Sequence, residues 1–133
     1  MKTNELKQNI FVRNIKHQTI EKVLYLGLMK VPGGEWINSV VYSGPERKSG
    51  EVEVFTKSVG EFVNEFDYMY DFTIWMTDVY NQLECHVSDE DKKNHPFNVF
   101  LYTDEDVLKN IQYFYDCFNV GMSAYKALTF FKI

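Results

Sequence analysis

The chain has 133 residues, of which 45% are hydrophobic and 17% aromatic, and its formal net charge is −5. This length suits one domain with a substantial core and is too short for two ordinary domains. The apolar stretch at residues 23–29 is far shorter than the ~20 residues of a membrane span, and the first residues carry no apolar signal segment. The two cysteines, Cys85 and Cys117, indicate reduced thiols rather than a disulfide framework. We therefore expect a single soluble domain over residues 1–133 in the cytoplasm, without membrane association.

Charge is distributed unevenly along the chain. Residues 1–57 hold nine Lys or Arg against six Asp or Glu, whereas residues 58–133 hold five against thirteen. Residues 58–91 contain nine carboxylates and no Lys or Arg. Such a segment repels nucleic-acid phosphate and attracts a basic protein surface. An ordinary solvated face, neutralised by lysines that folding brings from the N-terminal half, explains the same pattern.

The N-terminal half predicts a β-meander. Residues 1–20 form either a short helix or an irregular arm, and the pattern does not decide between them. Residues 22–31 are apolar on both period-2 faces, which predicts a strand covered on both sides. After the turn signal Pro32-Gly33-Gly34, residues 36–42 predict a second strand, and the alternation of residues 51–55 predicts a third. Short turns between the three strands favour antiparallel pairing.

Helical signals follow the meander. Ser58 and Glu61 match a capping box, and the apolar spacing that follows predicts a short helix through Phe66. Residues 68–88 fit a helix or a strand equally well.

The C-terminal third combines a loop, a strand and further helix. Residues 88–96 predict a surface loop and residues 97–102 a strand. Thr103 is a helix cap, and the helix that it begins ends at Asn119-Val120-Gly121. The tail, residues 122–133, is a short helix or a final strand. The predicted class is α+β, a small antiparallel β-meander or SH3-like barrel packed with two or more helices.

Part of the chain resembles a short bacterial and phage family of unknown function that has an SH3-like barrel. The likeness lies in Val23-Leu24-Tyr25-Leu26-Gly27, in residues 36–42, in Val54-Phe55, and in the segment from Ser58 through Phe62-Val63. The family usually has Arg-Pro where this chain has Lys57-Ser58. The resemblance covers residues 21–65 and implies a small β-barrel core with no known activity.

We find no motif for catalysis, metal binding or phosphate binding in the sequence. Cys85 and His86 are adjacent, so their side chains diverge and make poor ligands for one ion. The run Asp89-Glu90-Asp91 lacks the glycine and the distant Glu of a calcium loop. A nucleophilic pair of Cys117 with His86 or His95 is possible only if the fold brings these residues together, because they are distant in the sequence. We predict no cofactor, no metal and no catalytic residue.

The leading functional hypothesis is a non-enzymatic interaction protein that binds a basic protein surface through an acidic, aromatic face. Lys outnumbers Arg by 12 to 2, a usage common in the AT-rich genomes of many bacteriophages, so a phage accessory or counter-defence inhibitor acting on a host protein in the host cytoplasm is the particular form that we consider. The candidate partner-binding residues are Glu61, Glu65, Asp67, Tyr68, Tyr70, Asp71, Trp75 and Asp78.

Several alternatives remain at this stage. One is a protein that binds a nucleotide-like ligand, with Arg13, Trp36, Arg47 and Lys48 as candidate contacts. Another is a single-stranded nucleic-acid binder that uses cations interleaved with Phe11, Tyr25 and Trp36. An uncharacterised enzyme and a structural, self-associating subunit are also open, so a homo-oligomer belongs among the predicted states.

Overall fold

The computed structural model describes residues 1–45, 48–83 and 103–131, which form an antiparallel sheet and several helices. This arrangement confirms the α+β class. The chain divides into two compact units, Met1–Tyr70 and Asp71–Ile133. The single-domain interpretation stays a prediction, as does the closure of the sheet into an SH3-like barrel.

The first unit is built on one five-stranded sheet. The strands are β1 (Phe11–Asn14), β2 (Ile20–Lys30), β3 (Trp36–Pro45), β4 (Val52–Ser58) and β5 (Phe66–Tyr68). Their order across the sheet is β4-β3-β2-β1-β5, and every pairing is antiparallel. The predicted meander is therefore confirmed as β2, β3 and β4.

Strand β1 was not anticipated from the sequence. In place of a helix or an irregular arm, the N-terminal segment has a single 3-10 turn, Thr3–Glu5, followed by β1 between β2 and β5. Phe11 and Val12 are both buried although they point to opposite faces. The strand is formed by its pairing with β2 and β5, and its sequence shows no alternation of apolar and polar residues.

The prediction that β2 is covered on both sides is wrong for its outer half. Val23 is fully buried, whereas Tyr25, Leu26 and Leu28 are exposed. The pairing register with β3 shifts between Val23 and Tyr25, at the boundary between the buried and exposed halves of β2.

A short helix packs against the sheet in the first unit. Helix α1 (Val59–Glu65) begins as predicted, since the Ser58 hydroxyl accepts a hydrogen bond from the Glu61 amide. The buried core cluster consists of Leu6, Ile10, Val12, Val23, Val40, Tyr42, Phe62 and Phe66. The Tyr42 ring lies at its centre, with ring centroids of Phe62 and Phe66 5.2 and 5.3 Å away. These contacts cover one face of the sheet near β1, β2 and β3.

Helices make up the second unit within the described residues. They are α2 (Tyr70–Leu83), α3 (Asp104–Lys109), α4 (Ile111–Asn119) and α5 (Ala124–Phe130). The segment that fitted helix or strand equally is therefore helical as far as Leu83, and the tail is a helix. Thr103 caps α3 as predicted, but the single helix expected to follow is divided at Asn110.

Aromatic packing joins these helices to one another. The Phe72 ring contacts Tyr115 and Phe118 with centroid distances of 5.2 and 5.4 Å, and Cys117 is a buried free thiol nearby on α4. The predicted loop at 88–96 and strand at 97–102 lie outside the described residues, as do Arg47, Cys85, His86, His95 and Asp89-Glu90-Asp91.

Candidate functional site

The sheet of the first unit continues beyond its covered core as an exposed hairpin, residues 24–38. Leu26, Leu28 and Trp36 are 46%, 63% and 63% exposed. The strand register places all three on the face that also carries Val40 and Tyr42. The apolar face that forms the core therefore runs past α1 and stays uncovered on the hairpin.

One edge of the same hairpin has no neighbouring strand among residues 1–45, 48–83 and 103–131. Strand β1 pairs with β2 only as far as Val23, and no described residue pairs with that side of β2 beyond it. The outer half of β2 carries no charged side chain between Leu24 and Met29. Unpaired backbone groups beside exposed apolar side chains form a template for another strand. Natural proteins usually protect such an edge with charge, proline or a covering element.

A tight turn holds the tip of the hairpin together. The Val31 amide donates to the Glu35 carbonyl at 2.9 Å, and Gly34 donates back to Val31 at 3.1 Å. Gly33 and Gly34 adopt φ of 103° and 89°, a region that side chains disfavour. The turn predicted from Pro32-Gly33-Gly34 thus fixes the register of the two exposed strands.

The acidic residues predicted for partner binding have mixed environments in the first unit. Glu61 is exposed in the first turn of α1, where a carboxylate is favourable against the helix dipole. Glu65 forms an ion pair with Lys57, a lysine from the N-terminal half of the chain. Asp67 is exposed on β5, opposite Arg13 of β1. A helix N-terminus and an ion pair therefore explain the positions of Glu61 and Glu65 without a binding partner.

Two predicted aromatic contacts are neighbours in the first unit. The rings of Tyr68 and Tyr70 meet edge to face with centroids 5.8 Å apart, and Tyr70 is exposed. Burial, followed by the nearby Tyr70 and Glu5, raises the pKa of the Tyr68 phenol. Tyr68 and Tyr70 are therefore adjacent, whereas Asp67, which precedes Tyr68 on β5, points to the opposite face of the sheet.

The remaining predicted contacts lie on α2, in the second unit. Asp71 and Asp78 are exposed, with Asp71 in the first helical turn. The Trp75 indole donates its N–H to the Met122 carbonyl at 2.8 Å and packs against Phe118. Trp75 therefore has a packing role within its own unit.

The residues proposed for a nucleotide-like ligand are not brought together. Arg13 pairs with Ile20 and Trp36 pairs with Lys30, positions about 30 Å apart along β2 at roughly 3.3 Å per residue. Lys48 lies exposed in the turn after β3, and Arg47 is outside the described residues.

The rings proposed for nucleic-acid stacking do not form one platform. Phe11 is 1% exposed. Tyr25 and Trp36 are exposed, but the register places them on opposite faces of the hairpin. Stacking of successive bases requires rings on a shared surface.

A cavity of about 510 Å³ lies in the first unit beside the turn that joins β1 and β2. Its wall includes Tyr42 and Phe55, the ion pair of Lys57 with Glu65, and the buried Glu21. The volume lies within the range of ~300–1,000 Å³ typical of small-molecule sites. Sequence inspection missed this cavity because its residues come from separate strands and meet only through their pairing.

The part of the chain that the structure describes contains no cluster of His, Cys, Asp or Glu that could hold a metal ion. Nor does it contain a helix long and apolar enough to cross a membrane. No protein-family model, curated protein or solved structure matches the chain.

Proposed function

We propose that this chain is an interaction protein that binds a protein partner through the exposed hairpin. The observation that carries the proposal is the exposed apolar face of Leu26, Leu28 and Trp36 beside an edge of β2 that pairs with no other described strand. Apolar patches of this kind, when rimmed by polar residues, mark sites of protein association.

Strand addition is the mode of binding that this geometry favours. A partner segment in extended conformation satisfies the backbone groups of β2, while its side chains on one face pack against Leu26 and Leu28. Trp36 lies diagonally across the hairpin from Leu28 and supplies a large ring of the kind enriched at binding hot spots. Main-chain hydrogen bonds thus contribute affinity, and the apolar face contributes specificity.

The acidic residues complement this surface at longer range. The net charge of −5 accelerates encounter with a basic partner, and the exposed Tyr70 beside Tyr68 offers a second contact area. A host protein with a basic surface, as a counter-defence inhibitor would target, is the partner class that the sequence proposes.

Affinity capture from a bacterial lysate tests the proposal with three baits. Each bait carries its tag at the C-terminus, because the Met1 amino group donates hydrogen bonds to the Val63 and Phe66 carbonyls. Leu28→Lys places a charge on the apolar face and beside the free edge. Val54→Lys is the matched control, since Val54 is 61% exposed on β4, away from the hairpin. We expect wild type and Val54→Lys to retain a stoichiometric protein that Leu28→Lys captures at least roughly tenfold less, about 1.4 kcal/mol of binding.

Equal capture by Leu28→Lys and wild type contradicts the hairpin as the binding surface. Loss of capture on reversing Glu61 and Asp67, with Leu28→Lys unaffected, assigns binding to the acidic face instead. Sedimentation of the bait alone measures its mass in solution, and a dimer would show that the partner is a second copy of the chain.

A further inference from the structure

The lining of the cavity beside the β1–β2 turn combines an aromatic pair and two carboxylates with two lysines, Lys16 and Lys57. The rings of Tyr42 and Phe55 are stacked with centroids 5.4 Å apart, and both line the cavity. Glu21 and Glu65 line it as well. Aromatic faces and carboxylates are the two surfaces that attract a cation in proteins.

The Tyr42 side chain points to a ligand independently of the acidic residues. Tyr42 is only 4% exposed, and its ring is enclosed by Phe55, Phe62 and Phe66. Within residues 1–45, 48–83 and 103–131, no hydrogen bond engages its hydroxyl group. Because Tyr42 lines the cavity, a molecule bound there can replace water as the hydrogen-bond partner of its hydroxyl group.

Electrostatics at the Tyr42 hydroxyl favour a positive ligand. Burial raises the pKa of Tyr42 well above its usual value, and the negative charges of Glu21 and Glu65 raise it further. The phenol therefore stays neutral, and its oxygen can accept an N–H. Glu65 already forms an ion pair with one cation in the cavity wall, the ammonium group of Lys57.

We propose that this cavity binds a guanidinium group, carried by a small molecule or by an arginine side chain of a partner. A guanidinium is planar, stacks on aromatic rings and donates to carboxylates in a fixed geometry. In the cavity it lies against the Tyr42–Phe55 pair and donates to Glu65 and the Tyr42 oxygen. The inference is independent of the exposed hairpin and of any partner bound there.

Calorimetric titration of the full chain tests the proposal with matched compounds. The probes are L-arginine and agmatine, and L-citrulline, which replaces the guanidinium by an uncharged urea of similar shape. We expect arginine and agmatine to bind at least roughly tenfold more tightly than citrulline, the factor that about 1.4 kcal/mol produces. An acetylated, amidated Gly-Arg-Gly peptide distinguishes the sources: tighter binding of the peptide assigns a partner's arginine, and tighter binding of agmatine assigns a small molecule.

Three variants locate the binding. Glu65→Gln removes a carboxylate and releases Lys57, so binding of agmatine should weaken about tenfold, a typical loss for one charge-assisted hydrogen bond. Lys57→Met removes the competing cation and should strengthen it severalfold, an effect that a purely structural role for Lys57 does not produce. Glu61→Gln is the control, because Glu61 is exposed on α1 and does not line the cavity.

Three outcomes overturn the proposal. The first is equal affinity for citrulline and arginine, and the second is no heat of binding for any guanidinium probe at millimolar concentration. The third is preferential binding of guanosine monophosphate, which would identify the cavity as a nucleotide site.

Discussion

Tyr42 joins the core of the first unit to its cavity. Its ring fills the space among Phe55, Phe62 and Phe66, while Glu21 and Glu65 lie close enough to its hydroxyl to oppose ionisation. One side chain therefore contributes apolar packing and sets the charge preference of the adjacent cavity. Phenylalanine could replace the packing but not the hydroxyl.

The raised pKa of Tyr42 predicts a loss of stability in alkaline solution. Above its usual pKa of about 10, the unfolded chain releases the phenolic proton that the folded chain retains, so the free energy of unfolding falls as pH rises. Urea unfolding at about pH 9 and about pH 11 measures the decrease. We expect it to be smaller in Tyr42→Phe, and an equal decrease in the variant would contradict the assignment. Tyr68, whose pKa is also raised, remains in both proteins and accounts for part of the residual decrease.

At the scale of elements, the close approach of β2 and β3 depends on Gly44. A Cβ at this position would lie 2.3 Å from the Glu21 Cγ and 3.3 Å from the Ile20 carbonyl oxygen. The Glu21 Cβ would also lie 3.2 Å away, so rotation of the Glu21 side chain alone does not relieve the crowding. We expect Gly44→Ala to lower the free energy of unfolding by about 1–3 kcal/mol, the usual cost of overpacking.

Gly27→Ala is the matched control for Gly44→Ala in the same pair of strands. Nothing lies within 4 Å of a Cβ at Gly27, so alanine there should change stability by less than about 1 kcal/mol, towards greater stability. Denaturant unfolding of both variants checks the difference. Equal effects at the two positions would show that contact with Glu21 is not what restricts position 44.

Local sequence signals predicted the elements whose causes are local. The Pro32-Gly33-Gly34 turn, the Ser58 cap and the Thr103 cap act through neighbouring backbone groups, and all three are present. Strand β1 escaped prediction because its burial on both faces erases the alternation. The exposed half of β2 was misjudged because an apolar run has the same sequence whether another element covers it or not.

The functional surfaces were harder to predict than the elements. Composition drew attention to the acidic segment, which the chain itself partly neutralises through Lys57. The exposure of the apolar hairpin face depends on where α1 ends. The cavity depends on which strands are neighbours in the sheet. Both properties arise from tertiary contacts between residues distant in sequence.

At the scale of the whole molecule, each of the two units has its own aromatic core. In the second unit, Trp75, Phe72 and Phe118 pack together, which explains part of the aromatic content as internal structure. In the first unit, Leu26, Leu28 and Trp36 remain outside the core. Tyr25 and Trp36 of the hairpin are among the exposed aromatic residues, together with Tyr70, Tyr125 and Phe130.

Hydrogen–deuterium exchange tests the role of the hairpin most directly, with the free chain compared with its complex with the captured partner. If a partner strand adds to β2, backbone amides within residues 24–30 should exchange at least roughly tenfold more slowly in the complex, because they are then hydrogen-bonded. Amides of β4, at the opposite edge of the sheet, should exchange at the same rate in both states. Unchanged exchange in residues 24–30, with slowing confined to residues 61–78, would contradict the account and assign binding to the acidic segment.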